Sequence, residues 1–114
     1  METDQLDKEY IDVDDALGRI GGNMDFYKRL LGRFVGGNNI DSLEEALKSG
    51  DMEEAARFAH TIKGVSANLS LVAVRAASAD LEQVIKNGDD YSAGLETLKS
   101  KYQVTAEKIA EIID

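Results

Sequence analysis

The chain has 114 residues, a length typical of one compact domain, and 22 acidic against 13 basic side chains give it a net charge of −9. Such an acidic surface repels phosphate backbones and anionic lipids, so neither nucleic acid nor direct membrane contact is expected. The sequence contains no cysteine, no apolar run of about 20 residues that could span a bilayer, and no N-terminal signal pattern.

The composition favours helices over strands. Proline is absent, only 6% of the residues are aromatic, and the ten glycines fall mainly at the edges of segments rich in helix formers. Residues 1–11 are mostly polar and are expected to form a loosely ordered lead-in. One domain is expected to follow over residues 12–114.

Caps and periodicity indicate the first helices of the chain. Asp12 is a candidate N-cap of a short helix that ends at Gly21–Gly22. Asn23 can cap a second helix over about residues 24–35, in which large apolar side chains recur at helical spacing. The run Gly36–Asn39 either breaks this helix or only kinks it, and both alternatives stay open.

The next helix carries the single histidine of the chain. Asp51 and Glu54 are spaced like a capping box at its start, and the helix is expected to run to about Asn68. Because a capping box satisfies free backbone N–H groups at a helix start, this spacing favours a helix that begins near Asp51.

Two more helices complete the predicted chain. Ser70 can cap the first of them, which closes at Asn87–Gly88, and Asp89 or Asp90 begins the last, which continues to the chain end. Long helices joined by short turns pack most simply as antiparallel neighbours. The predicted fold is therefore all-α: an antiparallel four-helix bundle with a short extra N-terminal helix.

One side of the histidine-bearing helix is the candidate functional surface. At about 100° per residue, His60 lies opposite a predicted buried stripe of Ala55, Phe58, Ile62, Val65 and Leu69. Its neighbours within about 60° on the same wheel are charged or small: Glu53, Ala56, Arg57, Lys63, Gly64 and Ala67. The plain alternative is an ordinary solvated surface on which one residue is histidine.

Gly64 and Lys63 favour a functional interpretation of this surface. A glycine inside a helix costs about 1 kcal/mol relative to alanine and usually has a packing or close-approach reason. A tight helix crossing is one such reason, but Gly64 lies on the outward face, which favours room for another molecule or for a bulky group on His60. Lys63 would place a cation where a phosphoryl group carries negative charge. Ala56 and Ala67 keep the surface flat.

Other chemistries lack the residues that they need. A nucleophilic triad needs a base and an orienting group, yet the sole imidazole would have to be that base while also being the most exposed group. A di-iron centre in a helical bundle needs paired Glu-x-x-His elements, and Arg57 occupies the position three before His60. With no calcium-loop spacing and no glycine-rich phosphate loop, no metal site is predicted.

The segment His60–Leu69, with its His-x-x-Lys-Gly pattern, closely resembles the signature of histidine phosphotransfer (HPt) domains. The likeness covers about residues 12–113 and is to the HPt modules at the C-termini of hybrid sensor histidine kinases. Neighbouring segments that share it are Asn23–Phe34, Leu81–Glu82 and Asn87–Asp89. One departure is Ser70, where many members have glycine, and it concerns the local turn geometry.

The resemblance implies a phosphoryl relay between the aspartates of two receiver domains, with His60 as the transient carrier through Nε2. An exposed imidazole is largely neutral slightly above neutral pH, which leaves a ring nitrogen free as a nucleophile. Lys63 would support charge and Gly64 would allow close approach; contacts with the receiver would include Ala56, Arg57 and Ala67. No cofactor is expected on the domain itself, since the receiver would supply Mg²⁺, and no autonomous catalysis is expected.

Two other functions are alternatives to this relay. The first is an HPt-like binding module that docks a receiver or regulator without being phosphorylated, which the retention of His60, Lys63 and Gly64 disfavours. The second is an unrelated small enzyme, which the lack of catalytic partners disfavours. The domain is expected to be a monomer in the cytoplasm, as part of a hybrid sensor kinase that could tether it to the membrane.

Overall fold

The structure, a computed structural model, describes residues 8–37 and 39–113. These residues form six helices and no strand, so the predicted all-α class is confirmed. The helices are α1 (Val13–Arg19), α2 (Met24–Gly36), α3 (Asn39–Ser49), α4 (Met52–Asn68), α5 (Val72–Asn87) and α6 (Ser92–Ile113).

The described helices pack as a helical bundle. Helix α4 makes its most extensive contact with α5, while α3 packs on α4, α5 on α6, and α2 on α6. Helix α1 is the short extra N-terminal helix and contacts α2. The predicted architecture is therefore confirmed, within an envelope of 42 × 25 × 21 Å.

The glycine run after α2 breaks the helix. Helix α2 ends at Gly36, and Gly37 has extended backbone angles of φ −78° and ψ 158°, which no helical residue adopts. The N–H of Gly37 donates to the carbonyls of Arg33 and Phe34, so the last turn is closed before α3 begins at Asn39. Of the two open alternatives, the break is the one observed.

The predicted N-caps of α1, α2 and α4 all form. In each, a side-chain oxygen accepts a backbone N–H three residues on, at 3.0–3.1 Å: Asp12 from Asp15, Asn23 from Phe26, and Asp51 from Glu54. The spacing of Asp51 and Glu54 thus marks the start of α4 as predicted, but the reciprocal bond of a capping box does not form, because the N–H of Asp51 donates to the carbonyl of Ala46 at 2.9 Å and the Glu54 carboxylate pairs with Arg57. The charged guanidinium of Arg57 is a stronger hydrogen-bond donor to the Glu54 carboxylate than the neutral backbone N–H of Asp51.

The prediction that Ser70 caps α5 is also wrong. The N-cap is Leu71, with no side-chain cap bond. Ser70 has φ +56°, the left-handed region that glycine adopts most easily. Its hydroxyl donates instead to Asp15 Oδ2 at 2.6 Å, and its carbonyl accepts the N–H of Asp12 at 3.0 Å. Ser70 therefore joins the end of α4 to α1, and its backbone conformation explains why glycine suits this position.

The turn between α5 and α6 follows the sequence expectation. Gly88 has φ +76° as the C-cap of α5, and its N–H donates to the carbonyl of Ile85. The carboxylate of Asp90 accepts the N–H of Ser92 at 2.9 Å, at the start of α6. This bond satisfies one of the free N–H groups of the first turn.

The expected lead-in over residues 1–11 lies mostly outside the described residues. At its end, Ile11 is 3% exposed within the core. The ring of Tyr10 contacts the ammonium groups of Lys101 and Lys108 on α6, at 5.3 and 5.5 Å from its centroid. Residues 10 and 11 thus pack against the bundle ahead of α1.

Candidate functional site

The buried side of α4 sets the direction in which His60 points. The residues of α4 and its C-cap that are most buried are Ala55, Ala59, Ile62, Ser66 and Leu69. Phe58 and Val65, predicted to lie in the stripe, are only partly buried. The centre of the stripe is therefore rotated by about 40° from its predicted position, and Phe58 and Val65 lie at its edge, packed against the core but only partly buried.

This rotation leaves His60 exposed but turns its neighbours towards α5. The side chain of His60 is 67% exposed, and Gly64 and Arg57 are exposed as well. Lys63, Ala56 and Ala67 are intermediate, because they lie on the flank that approaches the next helix. His60 and Lys63 can consequently reach a side chain of α5.

That side chain is Glu82, whose Oε2 lies 3.1 Å from Nδ1 of His60. The Glu82 side chain is only 6% exposed. An ionised carboxylate can only accept hydrogen bonds, so this contact favours a ring proton on Nδ1. In the neutral ring with its proton on Nδ1, the other nitrogen, Nε2, keeps its lone pair, as nucleophilic attack requires.

Two lysines hold the same carboxylate. Lys63 Nζ lies 3.1 Å from Oε1 of Glu82, and Lys86 Nζ lies 2.9 Å from Oε2. Burial alone would raise the pKa of Glu82, but hydrogen bonds and charge from Lys86 and Lys63 outweigh burial and lower that pKa to about 2. Glu82 is therefore ionised throughout the physiological pH range.

The sequence did not identify Glu82 and Lys86 as site residues. The i, i+4 spacing of Glu82 and Lys86 predicts an ion pair between them. A glutamate next to the apolar positions of α5 also indicates a charged partner, since glutamate is rarely buried without one. Only the register between α4 and α5 places both residues beside His60, and a single sequence does not contain that register.

Gly64 faces open space. A Cβ atom built on Gly64 would have no heavy atom within 4 Å apart from its chain neighbours and the adjacent backbone of its own helix. A tight helix crossing within the described part of the chain therefore does not explain this glycine. Close approach of another molecule to the surface beside His60 stays a prediction.

Two of the predicted docking residues make bonds within the chain. The guanidinium of Arg57 pairs with the carboxylate of Glu54, with its Nε 3.2 Å from Oε1, and lies 4.9 Å from the centroid of the Phe58 ring. The carbonyl of Ala67 accepts a hydrogen bond from Arg19 of α1. Arg57 is thus held along α4 rather than directed at His60, and α1 is joined to the end of the helix that carries the histidine.

Among residues 8–37 and 39–113, no group of three or more histidine, aspartate or glutamate side chains is arranged to hold a metal ion. The carboxylate of Glu82 next to His60 is occupied by two ammonium groups and the imidazole, which disfavours a cation there. None of the helices described has the length and apolarity that crossing a membrane requires.

A comparison with protein families matches residues 36–110 to the family described as Hpt domain. The matched range includes α3, α4 and α5 entirely, and with them His60, Lys63, Gly64 and Glu82. Comparisons with curated proteins and with solved structures found no match.

Proposed function

Because the chain belongs to the Hpt domain family, whose members are phosphocarrier modules of phosphorelays, we propose that it relays a phosphoryl group between receiver-domain aspartates through His60. The observation that carries this proposal is the contact of 3.1 Å between Nδ1 of His60 and the ionised Glu82. It supports a ring that is protonated on the inner nitrogen and nucleophilic on the exposed one. The histidine-bearing surface is open enough for another domain to reach it.

The transfer would proceed as an in-line displacement at phosphorus. The lone pair of His60 Nε2 attacks the phosphoryl group of the receiver's aspartyl phosphate, the P–O bond breaks, and its electron pair returns to the aspartate as a carboxylate. A bond from Nε2 to phosphorus forms, Nδ1 keeps its proton, and the ring becomes positively charged. Donation to the next receiver reverses these changes, so no net proton transfer is needed in either direction.

Lys63 and Gly64 would assist in different ways. Lys63 is 36% exposed and lies on the same face as His60, so its ammonium can offset charge on a phosphoryl group attached to the ring. The open space at Gly64 would let the receiver bring its aspartate within reach of Nε2. Ala56, Arg57 and Ala67 are proposed as surrounding docking contacts.

The chemistry would depend on the partner for its metal ion. In phosphoryl transfer, Mg²⁺ neutralises negative charge on the phosphate oxygens. We propose that the receiver holds this ion, because the carboxylate of Glu82 is already paired with Lys63 and Lys86. The domain would then be a carrier without autonomous catalysis. Its parent protein is proposed to be a hybrid sensor kinase, which would place it in the cytoplasm, tethered to the membrane.

Phosphoryl transfer from a receiver tests the proposal. The domain is incubated with Mg²⁺ and receivers phosphorylated by acetyl phosphate, and phosphate on the domain is tested for stability in alkali and lability in acid. Label is expected on the wild type and not on His60→Gln. Label that persists in His60→Gln would contradict the site assignment. Receivers that bind the wild type without transferring phosphate would favour the alternative, a docking module that is not phosphorylated.

A further inference from the structure

Carbonyl groups at the end of α4 are held by donors from the N-terminal part of the chain. The last carbonyls of a helix have no partner within the helix itself. Here the guanidinium of Arg19 donates to the carbonyl of Ala67, and the backbone N–H of Asp12 donates to the carbonyl of Ser70 at 3.0 Å. The end of the histidine-bearing helix therefore depends on residues outside the family match, which begins at residue 36.

The carboxylate of Asp15 joins these contacts into one network. Its Oδ2 accepts the hydroxyl of Ser70 at 2.6 Å and lies 2.9 Å from Nη2 of Arg19. Arg19 thus bonds to Asp15 and to the carbonyl of Ala67 at the same time. The segment Asp12–Arg19, which is α1 with its N-cap and is here named the clasp, therefore contacts both the last turn of α4 and the turn that follows it.

The clasp is attached to the bundle by few apolar contacts. Within α1 only Ala16 is buried, while Val13 and Leu17 pack partly buried against the core. The side chains of Asp15 and Arg19 are each 48% exposed, so solvent reaches the bonds that hold the end of α4. Segments with few buried apolar contacts and exposed hydrogen bonds open at a lower free energy than the core does. Opening of the clasp alone is therefore expected to cost less than global unfolding.

Two glycines form the connection from the clasp to α2. Gly21 and Gly22 have φ of +76° and +80°, in the left-handed region that glycine enters without steric cost. A Cβ atom on either glycine would meet no heavy atom within 4 Å apart from its chain neighbours, so this connection is not tightly packed. Rotation at this pair would let the clasp leave the end of α4 while α2 stays in the bundle.

The clasp is bonded to the same face of α4 that carries His60. Ala67 lies seven residues after His60, about 10 Å along that face, and Gly64, whose residue type weakens a helix, lies between them. We propose that α1 is a conformational clasp: docked, it orders the end of α4 that the receiver contacts; open, it leaves that end frayed and lowers the affinity for the receiver. The proposal rests on the proposed function and extends it to regulation of docking. No bond joins Asp15 or Arg19 to His60, so the transfer chemistry itself does not depend on the clasp.

Amide hydrogen exchange of the wild type tests the local opening. The N–H groups of Leu69, Ser70 and Leu71 donate to carbonyls of the last turn of α4. In native-state exchange at increasing urea, these amides and those of α1 are expected to share one opening free energy, below that of the core amides of α5. A bound receiver is expected to slow their exchange, because binding and clasp closure favour each other by the same factor. Exchange of these amides only through global unfolding would overturn the clasp.

Asp15→Ala is the variant that opens the clasp, and Asp14→Ala is its matched control. Both remove one carboxylate from the first turn of α1, but Asp14 is exposed and makes no side-chain hydrogen bond or ion pair with the described residues. Only Asp15→Ala is expected to accelerate exchange at the end of α4 and to raise the Kd for an unphosphorylated receiver, each roughly fivefold. The receiver is one that phosphorylates the wild type, and its Kd is measured by titration calorimetry. Phosphorylation by phosphoramidate, which needs no receiver surface, should proceed equally in the wild type and in both variants.

The outcomes separate the clasp from the proposed function. An equal receiver Kd in the wild type and in folded Asp15→Ala, or the same rise in Asp14→Ala, would overturn the clasp as a regulator of docking. Slower phosphorylation of Asp15→Ala by phosphoramidate would also overturn it, because the effect would then lie at His60. The wild-type exchange needs no variant, so misfolding of Asp15→Ala would not prevent the test. A wild type that accepts phosphate from neither phosphoramidate nor any receiver would overturn the proposed function instead.

Discussion

Replacement of Gly64 by alanine should stabilise the domain while slowing its phosphorylation. Gly64 lies in the interior of α4, and an added Cβ would meet nothing within 4 Å beyond its own helix. The substitution therefore brings no clash, and helix propensity predicts a gain of about 1 kcal/mol in the free energy of unfolding. For a domain of this size, that gain corresponds to a rise in Tm of roughly 4 °C.

The opposite effect is expected on function, because the space at Gly64 is proposed to admit the receiver. Gly64→Ala should slow transfer modestly, and Gly64→Gln, with a longer side chain on the same surface, should slow it further while folding stays intact. Urea unfolding followed by circular dichroism measures stability, and quenched time courses with a phosphorylated receiver measure transfer. Transfer rates equal to those of the wild type in both variants would refute the close-approach explanation.

Gly32→Ala is the matched control for this pair of measurements. Gly32 also lies inside a helix, α2, where a Cβ would make only an ordinary contact at 3.9 Å with Ile113. It should gain a similar free energy of unfolding without any change in transfer rate. If Gly32→Ala slowed transfer as much as Gly64→Ala, helix rigidity rather than access to His60 would be the cause.

Three further predictions concern Lys63, Ser70 and Glu82. Lys63→Ala should slow phosphorylation roughly fivefold without abolishing it, since the lysine supports charge and forms no bond to phosphorus; complete loss in a variant with native circular dichroism would show that its role is different. Ser70→Ala should be less stable than Ser70→Gly by about 1 kcal/mol, because both lose the bond to Asp15 and only alanine keeps the strain of a positive φ; equal urea midpoints would contradict this. The ion pairs of Glu82 lower its pKa from 4.5 to about 2 despite burial, so they stabilise the fold fully above pH 4.5 and lose that effect as the pH falls towards 2. This shift in pKa contributes roughly 3 kcal/mol to the free energy of unfolding at neutral pH. Urea unfolding is measured near neutral pH and at about pH 3. The free energy of unfolding should fall less on acidification for Glu82→Met than for the wild type.

The residues that lie within one helix were predictable from the sequence. His60, Lys63 and Gly64 share a face because helical geometry fixes the positions i, i+3 and i+4. The N-caps Asp12 and Asn23 depend on atoms only three residues away, and both form as expected. Local spacing is sufficient in each of these cases.

The remaining features depend on contacts between helices. Ala59 and Ser66 are buried in the bundle although Phe58 and Val65, which are more apolar, are only partly buried. Ser70 does not cap α5, since α1 brings Asp15 to its hydroxyl from a distant part of the chain. Such contacts follow from the register of packed helices, which hydrophobic periodicity does not determine.

The position of the phosphoryl group on the phosphorylated domain tests the central claim most directly. The domain is phosphorylated with phosphoramidate, and coupling between phosphorus and the ring nitrogens of the single histidine is measured by NMR. We predict a phosphoryl group on Nε2 of His60, with the proton retained on Nδ1 next to Glu82. A phosphoryl group on Nδ1, or on any side chain other than His60, would contradict the account.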